Sequence, residues 1–174
     1  MEKKKLFIII GILWLIIIIG FIGIREFTLR TGKEILLKTV PVDPRDLFRG
    51  DYVILDYEIS HLDLNKMPAD HTDFKVRDKV YLSLSQENGY GVPAKVYRNV
   101  PQQEKLFIKG KVKKVYDKYL IVEYGIESYF VPEGKGKELE RATGRDLAVK
   151  VSIDRFGNAA IKSLLLDGQE VSFK

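Results

Sequence analysis

No cysteine occurs among the 174 residues. Disulfides and thiolate chemistry are therefore excluded, and a folded domain must be stable on its packed core alone. Histidine is nearly as scarce: His61 and His71 sit together in one stretch, which offers little to a histidine-activated nucleophile. The sequence has no G-x-S-x-G elbow, no phosphate-binding glycine loop and no dinucleotide fingerprint. A Ser–Lys pair remains open on composition alone, because both residue types are plentiful. Internal repeats and low-complexity tracts are missing too, and no cofactor is expected.

Charge is absent from one long stretch. Between Leu6 and Ile24 there is no charged residue and nothing polar beyond glycine. As a helix those 19 residues rise about 28 Å, close to the hydrocarbon thickness of a bilayer. A buried helix of a soluble protein normally keeps a polar stripe, and this one has none. The preceding Lys3, Lys4 and Lys5 fit either a signal peptide or an anchor. A cleaved signal has a shorter apolar core followed by small residues, however, and 22–27 offers no such site. The sequence therefore predicts a single-pass anchor over 1–24, with the bilayer as one partner. The lysine-rich tail is expected in the cytoplasm and the remainder outside, although Arg25, Arg30, Lys33 and Lys38 weaken that contrast. Net charge is +5; setting aside Glu2, Lys3, Lys4 and Lys5 leaves +3, a mildly basic domain with no expectation of nucleic-acid binding.

Beyond the anchor, 25–33 reads as a continuation of the helix or a linker, and 34–174 as one extracytoplasmic domain. Period-two alternation marks strands at 34–42, 52–59, 79–84, 92–97, 106–115, 119–124, 128–131, 147–153, 159–166 and 170–173. Turn signals such as Asn88-Gly89, Asp167-Gly168 and Arg155-Phe156-Gly157-Asn158 separate them. A short helix is expected at 136–142, and 61–73 reads as an exposed irregular loop. The fold class is mainly β: a β-sandwich or a partial barrel behind a transmembrane helix.

Two dense blocks hold the candidate site residues. In the first, Pro41 and Pro44 fix a turn that Asp43 and Asp46 can cap, and Gly50 releases the backbone into a strand. Alternation puts Val53, Leu55, Tyr57 and Ile59 on one face as core, with Tyr52 opposite beside acidic residues. Asp43, Arg45, Asp46, Arg49 and Asp51 form either a charged rim around a site or the caps and ion pairs of an ordered loop. The Arg49-Gly50-Asp51 tripeptide also spells an adhesion motif, but three common residues match easily by chance. In the second block, 124–134, Glu127 lies among aromatics including Tyr129, and Glu133 precedes the expected helix. Glu127 is either an acid/base group or a structural glutamate. His61, Asp63, Asp70, His71 and Asp73 have suitable types for a metal but match no ligand spacing, so no metal is expected. Lys109, Lys111, Lys113, Lys114 and Lys118 form a basic hairpin, read as a solvated face or a contact for anionic lipid.

Gly50, Asp51, Tyr52, Leu55 and Tyr57 match, position for position, the motif of the bacterial GDYXXLXY family. The lead-in Asp43-Pro44-Arg45-Asp46 with Arg49, the 124–134 block and Gly157-Asn158-Ala159 resemble it as well. The resemblance implies a membrane-anchored domain, often encoded beside multi-pass membrane proteins, whose function is not established. A looser echo of Ser/Lys signal peptidases lies in Pro44, Gly50-Asp51 and Lys109, but Val42 stands where their serine would be. The expectation is a non-enzymatic binding or assembly domain acting with a membrane-protein partner. The alternative is an acid/base hydrolase of an envelope polymer using Asp43, Asp51 or Glu127.

Overall fold

The structure, a computed structural model, describes residues 2–40, 52–132 and 147–171. The expected helix at 136–142 lies outside the described residues. Helix α1 runs over Glu2–Thr31, so 25–31 forms its last turns, and Gly32 alone separates it from strand β1 (Lys33–Lys38). The β-domain continues with β2 (Tyr52–Ile54), a 3-10 turn at Glu58–Ser60, β3 (His61–Asp63), β4 (Lys79–Glu87) and β5 (Tyr90–Tyr97). It ends with β6 (Phe107–Tyr116), β7 (Tyr119–Glu123), β8 (Ser128–Phe130), β9 (Leu147–Ile153), β10 (Ala159–Leu166) and β11 (Gln169–Glu170).

Nine strands form one sheet in the order β11-β10-β9-β1-β5-β4-β6-β7-β3, while β2 and β8 pair separately. The pairings are antiparallel except at β1–β5, where a single parallel pair, Leu36↔Tyr90, makes the seam. Hairpin geometry follows from sequence: Asn88 and Gly89 both adopt positive φ (51° and 86°), as do Asp167 and Gly168 (50° and 79°). These are the two-residue turns whose twist matches that of the flanking strands. Register shifts at Ser83/Leu84, Val112/Lys114 and Ile161/Ser163 bend the strands further. The result is a curl. The turn between β9 and β10 reaches β6, with Lys109 N–H donating to the Gly157 carbonyl at 2.8 Å, although β1, β5 and β4 lie between them in the sheet. The architecture is thus the partial barrel rather than two stacked sheets.

Alternate side chains of the strands point inward and join in one apolar cluster that includes Ile35, Leu37, Val80, Leu82, Ile108, Leu120, Val149, Val151 and Leu164. Val53, Leu55, Tyr57 and Ile59 all enter it, at 2% exposure or less, as the alternation requires. That segment is not one strand, however. It leaves the β ladder after Leu55, where Asp56 accepts a hydrogen bond from the Tyr57 N–H and pairs with His61, turning the chain into the 3-10 turn. Residues 61–73 also depart from the expected loop: His61–Asp63 pairs with β7, and Leu62 and Leu64 are buried. Their apolar spacing of two was present but too short to read against five nearby polar residues.

Candidate functional site

The two dense blocks meet. Residues 52–54 and 128–130 pair as Tyr52↔Phe130, Val53↔Tyr129 and Ile54↔Ser128. The Leu55 N–H continues the ladder to the Glu127 carbonyl at 2.9 Å. Below it two buried tyrosines cross: Tyr57 donates to the Ile126 carbonyl and Tyr124 to the Ile59 carbonyl, each at 2.6 Å. Each phenol satisfies a carbonyl that the broken ladder would otherwise leave without a partner. Burial pushes both hydroxyls far above the usual tyrosine value, and the nearby Glu127 charge adds to the effect. Tyr57 and Tyr124 are thus neutral donors at any physiological pH.

Glu127 holds the turn between the blocks. Its carboxylate accepts from the backbone N–H of Tyr124 and of Gly125, which sits at φ +80°. Both carboxylate oxygens are therefore used on the chain's own backbone, which is the geometry of a cap. Tyr129 is half-buried and packs on the core. Leu55 and Tyr57 are core residues, and Tyr52 is described through its backbone pairing alone. Asp43, Arg45, Arg49, Gly50, Asp51 and Glu133 lie outside the described residues.

The other grouped residues are dispersed. Asp63 caps Asn65 and meets Lys66, Asp70 accepts the Arg98 N–H and meets His71, and Asp73 pairs with the Arg98 guanidinium. No cluster of three metal-ligating side chains exists among the described residues. In the basic hairpin Lys113 pairs with Glu123 at 2.6 Å, and the register shift beside it breaks the lysine row.

A second constellation lies where α1 joins the sheet. Thr28 is buried and donates its hydroxyl to Asp154 at 2.8 Å, while its carbonyl accepts from the Ser152 hydroxyl at 2.7 Å. Asp154 also accepts the Asn158 side-chain amide and the N–H groups of Phe156 and Asn158. Burial pushes the Asp154 carboxyl upward, but the hydrogen bonds from Asn158, Thr28 and the backbone outweigh it and hold it below the usual carboxylate value. The chain can pass here because position 32 is glycine: a Cβ there would stand 2.4 Å from Ser152 Oγ and 2.6 Å from the Thr28 carbonyl oxygen. Beside this lock a groove of about 690 Å³ opens between the 21–28 face of α1 and residues 125, 126, 128–130 and 158–161.

Sequence alone marks Arg155-Phe156-Gly157-Asn158 as a turn, yet nothing in it points to Thr28. The two partners of the Thr28–Asp154 bond are 126 positions apart. A threonine shortly after the apolar run is the available signal, and it names no partner.

These features define a class: a mainly-β partial barrel locked by hydrogen bonds to one N-terminal helix that is long and apolar enough to cross a membrane. The GDYXXLXY protein family model matches residues 14–164, and the chain belongs to that family. The matched region begins inside α1, so it takes in the helix end, the lock, the groove and both dense blocks. No curated protein matches the chain, and no solved structure does.

Proposed function

We propose that this chain is a membrane-anchored, extracytoplasmic binding or assembly domain that works with a membrane-protein partner. The carrying observation is the surface of α1. Every residue from Leu6 to Ile24 is exposed, and none of the apolar stretch is buried in the protein. A bare apolar helix of this length is at home in a bilayer, where lipid covers it. The lock at Thr28 then holds the β-domain at the point where the helix leaves the membrane. The hydrolase reading finds less support, since Glu127 is committed to backbone donors.

The absence of cysteine makes orientation directly testable. In intact cells, Lys118→Cys is expected to react with a membrane-impermeant maleimide, whereas Lys4→Cys reacts only after lysis. The reverse pattern would put the β-domain in the cytoplasm and end the extracytoplasmic reading. Partnership is checked by cross-linking the full chain in native membranes. One recurrent membrane protein is expected, and recovery of only a diffuse background refutes the assembly role.

A further inference from the structure

We infer that the groove beside the helix–sheet lock is a binding site for one phospholipid, with an acyl chain inside it and the phosphate at Arg25. The inference rests on the proposed membrane insertion of α1 and assigns a ligand to the region where the helix emerges. Phe21, Ile22 and Ile24 belong both to the apolar run and to the groove wall, so the groove is continuous with the surface that lipid covers. Across from them stand Ile126, Phe130 and Ile161, giving an apolar slot bounded by sheet on one side and helix on the other.

Charge supplies the second argument. Arg25 is the first charged residue after the apolar run and lines the same groove, and no described carboxylate pairs with it. At the boundary of the hydrocarbon a guanidinium stands at headgroup depth, where its fork suits a phosphodiester. In the β9–β10 turn, Arg155 stacks over the ring of Phe156, a residue 54% exposed. An aromatic with a cation at its side suits the interfacial region of a bilayer.

Size favours a single lipid over a partner helix. A volume of about 690 Å³ lies in the ~300–1,000 Å³ range of small-molecule sites. A helix about 10 Å across would fill it with only some 9 Å of its length, roughly six residues. A flexible hydrocarbon chain uses such a slot fully.

The test uses the full chain purified in mild detergent, with retained lipid measured by native mass spectrometry. Wild type is expected to keep one phospholipid and, after delipidation, to rebind palmitoyl-oleoyl phosphatidylglycerol. Inorganic phosphate should not compete, because it lacks the chain; effective competition would reassign the site to a free anion. Ser128 is exposed and lines the groove, so Ser128→Trp should fill the slot and abolish retention. Arg25→Gln should weaken rebinding about tenfold, the loss of one charge-assisted contact. If both variants retain lipid as wild type does, the groove is not the site. A photo-reactive benzoylphenylalanine in place of Phe130 should yield a lipid adduct. A protein adduct, or none, overturns the proposal. Carbonate extraction separates the two levels: a chain released from membranes refutes the anchor itself, whereas a retained chain without bound lipid refutes the groove alone.

Discussion

The tyrosines of the two dense blocks show how a motif can be structural in its chemistry. Tyr57 and Tyr124 each place a phenol inside the core and spend it on a carbonyl of the opposite block. Replacing either with phenylalanine leaves the ring's packing intact but strands one buried carbonyl. Each of Tyr57→Phe and Tyr124→Phe should therefore cost about 1–3 kcal/mol. Because the two bonds hold the same pair of segments, the double variant should lose less than the sum of the single losses. Urea unfolding of the four proteins measures this, and strict additivity would show that the bonds act independently. Of these residues, Leu55 and Tyr57 were legible as core from alternation alone. The direction of the Tyr57 hydroxyl was not, since it depends on a segment 69 positions away. Glu127 was legible as a choice between two roles, and the choice turned on the backbone N–H groups beside it.

Between elements, the contact that matters most is that of α1 with the β9–β10 hairpin. Four hydrogen bonds converge on the Asp154 carboxylate, and its folded-state pKa is lowered. Such a group stabilises the fold fully above its unfolded value, about 4, and the contribution is lost as pH falls through the lower folded value. Thermal melts of the full chain in detergent should thus show an acid limb below about pH 4 that Asp154→Asn makes shallower. The same variant should be less stable at pH 7, because an amide nitrogen facing N–H donors cannot accept from them. An unchanged acid limb would remove Asp154 from the lock. Strands were read well where alternation ran for five residues or more, as in β4, β6, β9 and β10. The three-residue β8 was legible at 128–131, whereas the equally short β3 was not, because its pairing with β7 is set by its neighbour more than by its own pattern.

At the scale of the whole molecule, an exposed apolar helix and a β-domain with its own packed core share one backbone. Residues 6–20 of α1 are exposed throughout and take no part in the groove or the lock. A chain beginning at residue 21 should therefore be water-soluble and melt within a few degrees of the full protein. Differential scanning calorimetry checks this, and a large loss of melting temperature would mean that the outer helix supports the β-domain. The division into apolar helix and β-domain was legible from composition, whereas the rigidity of their joint was not. The joint has a mechanical consequence. With one residue between α1 and β1, and Thr28 bonded to Ser152 and Asp154, helix and domain are tied at their joint both by chain and by hydrogen bonds. If α1 is inserted as proposed, a bilayer thinner than the apolar span tilts the helix, and a tilt of about 20° carries a point about 30 Å from the pivot sideways by about 10 Å. On the proposed membrane insertion, membrane thickness is a geometric input to the domain, read out as the direction in which its curled sheet faces.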